Sequence, residues 1–181
     1  MKKAISKKYW SDLLIIVGLG VAVGFASYLA GQLIDPLIWR TWDFWFEADI
    51  IRVLKSMTTG GGDDNRTSVH PLFSLIAYPP VYVLKAALGI ETITAVRVVV
   101  AAVASLWFST LFILLRVIGC RRFDAVLFSI LAASSAAAMF WLVIPETYSF
   151  GSLTIMLALV LVALGQHRRL SPLWYVVVNV L

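Results

Sequence analysis

Four stretches of this chain, residues 13–34, 98–115, 125–144 and 147–165, are long, mainly apolar and have no charged residue inside them. At about 1.5 Å of rise per residue, each can span a hydrocarbon layer roughly 30 Å thick with some help from flanking residues. Inside such a layer no water satisfies backbone N–H and C=O groups, so a single apolar stretch of this length must fold as a helix. The expected fold class is therefore all-α, a polytopic transmembrane helical bundle. Composition agrees: the chain is 61% hydrophobic and 14% charged, with a mean hydropathy of +0.90. A soluble domain of 181 residues cannot hide that much apolar surface.

The charges carry topology rather than a nucleic-acid signature, although the net charge is +5. Lys2, Lys3, Lys7 and Lys8 precede the first block, Arg116, Arg121 and Arg122 follow the second, and Arg168 and Arg169 follow the fourth. The first block exceeds the roughly 7–15 residues of a signal-peptide core and no A-x-A site closes it, so it reads as an uncleaved first span. A fifth apolar segment, residues 71–89, contains Pro79-Pro80 and Lys85. If it does not cross, every basic cluster named above falls on one side. Asp35, Asp43, Glu47, Asp49, Asp63, Asp64, Glu91 and Glu146 then fall on the other. If it crosses, that asymmetry collapses. The positive-inside rule selects the first arrangement, with the N-terminus cytoplasmic.

The resulting layout is one transmembrane domain over residues 1–181. It has spans at 13–34, 98–118, 125–144 and 147–165, a first outer loop at 35–97 and a short outer turn at 145–147. The loop carries juxtamembrane or re-entrant helices at 43–58 and 71–89. Residues 172–181 begin a fifth apolar segment, and a span needs about 20 residues, so the chain is expected to be the N-terminal portion of a longer protein. Cys120 is the only cysteine, which excludes a disulfide framework and a thiolate metal cluster.

The acids and many of the rings collect in the outer loop. Read as a helix, its first part places Phe46, Ile50, Val53 and Met57 on one side. Asp49, Arg52, Lys55 and Ser56 fall on another side, where Asp49 and Arg52 can pair at i, i+3. Trp39, Trp42 and Trp45 fit an interfacial belt. The run Gly60-Gly61-Gly62-Asp63-Asp64-Asn65 reads as a solvated connector or, less economically, a cation pair. Its acids lack the spacing of an EF-hand and its glycines lack the GK[ST] of a phosphate loop. In Arg66-Thr67-Ser68-Val69-His70-Pro71, a helix entry with Arg and His nearby is either a phosphate site or an ordinary cap. Glu146 sits between two spans, either as a plain turn residue or as part of the same outer site. No Ser-His-Asp spacing, CxxC pair or HExxH supports acyl transfer or zinc hydrolysis.

These motifs and their order resemble the GT-C superfamily of membrane glycosyltransferases. The resemblance runs from residue 13 to about residue 169. It rests on Glu47-Ala48-Asp49-Ile50-Ile51-Arg52, on Arg66-Thr67-Ser68-Val69-His70-Pro71-Leu72-Phe73, on the basic turn Arg121-Arg122 and on Pro145-Glu146-Thr147-Tyr148. It implies transfer of a sugar from a polyprenyl-phosphate donor to a lipid or glycan acceptor at the outer face of a bacterial inner (cytoplasmic) membrane. In that reading Asp49 is the catalytic base, with Glu47 as the fallback. Arg52, Arg66 and His70 contact the phosphate, and Glu146 and Tyr148 bind sugar or acceptor. The partners are the donor, the acceptor and membrane lipids, not nucleic acid. No cofactor is called for, and a divalent cation is not required, because arginines can hold a lipid-phosphate leaving group. The rival readings are a transporter-like subunit and a non-catalytic scaffold, including an inactive fragment of the same fold. Transporters place ionisable groups within their spans, and here the acids gather at one surface.

Overall fold

The computed structural model describes residues 2–35, 37–39, 48–60 and 72–180, with side chains over 10–35, 37–39, 48–60 and 72–177. Its elements are α1 (Lys2–Leu33), α2 (Ile50–Thr58), α3 (Phe73–Leu88), α4 (Thr92–Val117), α5 (Arg122–Ala133), α6 (Ala136–Trp141), α7 (Thr147–Gly165) and α8 (Pro172–Val180). Among the described residues there is no strand, so the expected all-α architecture is the one observed. Three helical segments are long and apolar enough to cross a membrane: Trp10–Leu33, Thr92–Val117 and Thr147–Gly165.

α4 lies at the centre, in contact with α1, α2, α3, α5 and α7. Between apolar helices in lipid there is no hydrophobic drive, so close backbone approach and hydrogen bonds must hold them. The α1–α4 seam shows how. A β-carbon at Gly24 would lie 2.9 Å from the Ala101 carbonyl oxygen, and one at Gly20 would lie 2.6 Å from Ser109 Oγ. At Gly24 the neighbour is backbone, so only glycine permits that spacing there. Asp12 near the start of α1 meets Arg116 near the end of α4, so the two helices run antiparallel.

The stretch 125–144, expected as one continuous span, is two helices. α5 stops at Ala133 and α6 starts at Ala136. The cause is local: Ser134 and Ser135 each donate a side-chain bond to the carbonyl three residues back, and Ser135 Oγ then accepts from Ala138 N–H. Serine hydroxyls offer the backbone an alternative to the helical ladder, which hydropathy does not register. The pair still travels the length of the bundle. Arg122 touches Asp12, and the Leu142 carbonyl accepts from Ser27 Oγ at 2.6 Å.

α2 and α3 cap the other end. α3 starts where Phe73 meets Phe150 of the first turn of α7, edge to face at 5.1 Å. It ends at Gly89, whose φ of 64° makes it a left-handed cap, just before α4. Both its ends therefore lie at one end of the bundle. Pro79 and Pro80 sit inside α3 on its exposed side. Each removes a backbone donor, and the carbonyls so released need water, which deep lipid lacks. Beneath α2 and α3, Ile50, Val53, Met57, Ala77, Val81 and Val96 form a core buried to 3% exposure or less.

Two details depart from the sequence reading. Ala48 and Asp49 are not helical, so the helix expected over 43–58 is helical only from Ile50 within the described residues. Trp39, expected in an interfacial belt, is 4% exposed and belongs to the core. Trp42 and Trp45 lie outside the described residues.

The helix order places Arg116 and Arg122, Lys2, Lys3, Lys7 and Lys8 at the start of α1, and Arg168 and Arg169 just after α7 at one end. It places the carboxylates that begin α2, α4 and α7, Asp49, Glu91 and Glu146, at the other, beside Arg52, Lys55, Lys85 and Arg97. We call these the basic and acidic ends.

Candidate functional site

The acidic end gathers residues far apart in sequence. Asp49 precedes α2 as its cap residue, with φ −78° and ψ 39°. Its N–H donates to Glu146 Oε1 at 3.0 Å, across 97 positions of sequence. Helix N-termini leave their first amides without intrahelical partners and favour negative charge, so a carboxylate here is well placed. The other oxygen of Glu146 accepts from the backbone N–H and the hydroxyl of Thr147. Glu146 is 3% exposed. One carboxylate thus ties the entry of α2 to the entry of α7. A hydrogen bond to a charged group contributes about 1.5–3 kcal/mol.

The Asp49 side chain is less enclosed and forms an ion pair with Arg52, one turn along α2. Ile50, Val53 and Met57 anchor α2 on the core while Arg52 and Lys55 stay partly or fully accessible. Ser56, placed by periodicity with the polar residues, is buried at 4%; it lies at the boundary between the two faces and is small enough to pack.

Tyr148 is 63% exposed. Its ring meets Trp141 at 4.8 Å, nearly edge to face. Both line a groove of about 680 Å³ between α4, α6 and α7, together with Trp107, Ser135, Thr147 and Ser152. Because α6 is short and small residues line the gap, the groove runs along the side of the bundle just below Glu146. Its walls are largely apolar, so it suits a chain rather than a polar head.

One residue of this end was not singled out in the sequence. Arg97 lies in the second turn of α4, which begins at Thr92, so what was read as the loop's end is already helix. The cap explains the early start: the Glu91 side chain accepts from Thr94 N–H at 2.9 Å. Backbone N–H groups of Ile93 and then Thr94 hold the Glu91 carboxyl below the usual range. The pattern Glu91-Thr92-Ile93-Thr94 ahead of an apolar run was the available signal.

The Arg97 guanidinium lies over the Trp39 ring, 5.0 Å from its centroid. Its stem passes Gly31, where a β-carbon would lie 3.7 Å from Arg97 Cγ and 3.4 Å from the Val143 carbonyl oxygen. That places Arg97 beside the strand of chain leading into Glu146. Its Nε is buried without a hydrogen-bond partner among the described residues. A charged side chain in an otherwise apolar span costs about 2.5–3.5 kcal/mol on insertion scales.

Of the other residues expected in the site, Glu47, Arg66 and His70 lie outside the described residues, as do Asp43, Asp63 and Asp64. Among the described residues no three His, Cys, Asp or Glu side chains come together. No protein-family model, curated protein or solved structure matches the chain.

Proposed function

We propose that this chain belongs to a GT-C-type membrane glycosyltransferase. It transfers a sugar from a polyprenyl-phosphate donor to a lipid or glycan acceptor at the outer face of a bacterial cytoplasmic membrane, with its N-terminus in the cytoplasm. The observation that carries this reading is the bond from Asp49 N–H to Glu146. It joins the acid of the first loop to the acid of the second outer turn, beside an arginine and above an apolar groove.

In this reading Asp49 is the base. Its carboxylate takes the proton of the acceptor hydroxyl as that oxygen attacks the anomeric carbon. The bond from anomeric carbon to phosphate oxygen breaks, and the lipid phosphate leaves with the electron pair. Arg52 orients the Asp49 carboxylate and offers positive charge to the leaving group. Arg66 and His70 supply further phosphate contacts, and Glu47 is the alternative base. Tyr148 contacts sugar or acceptor at the mouth of the groove. Glu146 has protein partners on both oxygens, so its part is to hold the entry of α2 in place rather than to grip substrate. No cofactor enters the scheme.

That same enclosure of Glu146 is what a non-catalytic scaffold would also use, and it keeps that second reading in view. The two separate on one substitution. Asp49→Asn in the complete protein, reconstituted with a labelled polyprenyl-phosphate sugar, should cut transfer by about 10²–10⁴-fold. Undiminished transfer sinks the Asp49 assignment, and loss in Glu47→Gln alone moves the role to Glu47. No transfer by the unaltered protein across a panel of donors favours the scaffold.

A further inference from the structure

Among the described residues Arg97 has no ion pair and no hydrogen bond, and its Nε is buried. Its guanidinium carbon lies over the Trp39 ring, 5.0 Å from the centroid. The carboxylate that acts on it, Glu91, does so only through long-range attraction and is itself occupied in capping α4. The other three described acids of this end have partners elsewhere: Asp35 accepts from Leu37 N–H, Asp49 pairs with Arg52, and Glu146 accepts from Asp49 and Thr147. A guanidinium held against a ring keeps a fork of donors matched to phosphate. A half-buried guanidinium with its Nε unmatched among the described residues is completed by an anion.

We propose that Arg97 holds the phosphate of the lipid-linked substrate, with Trp39 setting the plane of the fork. The proposal rests on the function proposed above and names the residue that reads the donor's charge. Arg97 is then a binding residue of the site, entering it from α4 while Asp49 and Arg52 enter from α2. Phosphate on an apolar tail comes from two sources, the substrate and the bilayer's own headgroups, and the test below separates them.

The test is binding by the complete protein in a phosphate-free detergent. The probes are polyprenyl monophosphate, the uncharged polyprenol and phosphatidylglycerol, titrated against the unaltered protein, Arg97→Gln and Arg97→Lys. Melting of each variant is measured alongside. The expected result is that Arg97→Gln weakens polyprenyl monophosphate at least tenfold and flattens the salt dependence of its binding. Arg97→Lys should fall between, and polyprenol should bind all three alike. Equal binding of polyprenyl monophosphate by Arg97→Gln and the unaltered protein overturns the proposal. So does its failure to bind the unaltered protein, and so does equal, Arg97-dependent capture of phosphatidylglycerol. If Arg97→Gln does not fold, Arg97→Lys carries the comparison, since a point charge replaces a fork. Sugar transfer measured on the same preparations keeps the two readings apart. Transfer with Arg97-independent binding removes this proposal alone, whereas Arg97-dependent binding without transfer removes the enzyme alone.

Discussion

At the basic end, Asp12 accepts from Arg116 Nε and Nη2 at 3.2 and 3.1 Å and from Arg122 Nε at 2.5 Å, while Arg116 also donates to the Cys120 carbonyl. At the acidic end, the Glu146 carboxylate is spent on backbone and hydroxyl donors while Arg97 stands over a tryptophan with Nε unmatched. Both clusters join distant helices. The first sets one carboxylate between two arginines and works as a clamp on α1, α4 and α5. The second leaves Arg97 Nε without an acceptor among the described residues. Buried ion clusters are poor evidence for stability in general, and the contrast shows what to ask of one instead: whether every donor has an acceptor within the protein. Where one is missing, the fold has left room for something else.

That contrast is open to attack from both ends. Asp12→Asn leaves two arginines facing a neutral amide. It should cost about 2 kcal/mol, the scale of hydrogen bonds to charged groups, because Asp12 and Arg116 are largely enclosed. Chemical unfolding in detergent measures it, and substrate affinity should not move. A shift in affinity as large as that of Arg97→Gln would erase the division between clamp and site. Glu146→Gln keeps an acceptor for the Asp49 N–H but can turn an amide donor toward Thr147. It should cost about 1 kcal/mol in stability and, by loosening α2, roughly tenfold in kcat with KM little changed. A change confined to stability would make Glu146 a second clamp. The smallest effect concerns Glu91. Its carboxyl lies below the ordinary value of 4.5 in the folded chain, so its stabilising contribution is present above that value and lost as pH falls through the lowered one. Melting followed from pH 6 to pH 3 should show an extra decline in the unaltered protein that Glu91→Gln lacks.

Much of the scaffold was readable from residues. Unbroken apolar runs announced long helices, Pro79-Pro80 and Lys85 marked α3 as different from them, and the i, i+3 spacing of Asp49 and Arg52 announced their ion pair. The site was readable in part. Asp49 and Glu146 stood out as acids beside apolar blocks, but their contact joins positions 97 residues apart, and nothing local encodes it. Arg97 escaped because a charge was taken as the edge of a span. In fact the helix had already begun at a glutamate cap, and a tryptophan across the chain shelters the charge. The interruption at Ser134 escaped for a related reason: hydropathy weighs a serine's polarity and ignores what its hydroxyl does to the carbonyl behind it.

The shape of α3 bears on how the chain is made. A ribosome-bound insertion channel meets residues 73–88 as an apolar helix of 16 residues, close to the length at which such segments are released sideways into lipid. In the topology proposed above, a crossing there would thread each later span in the opposite sense and export Arg116, Arg122, Arg168 and Arg169. Pro79, Pro80 and Lys85 are then expected to tilt that decision during synthesis, before any tertiary contact exists to correct it. Replacing Pro79, Pro80 and Lys85 together with leucines should therefore invert the downstream chain in a fraction of molecules, visible as glycosylation or cysteine-labelling tags appearing on the wrong side.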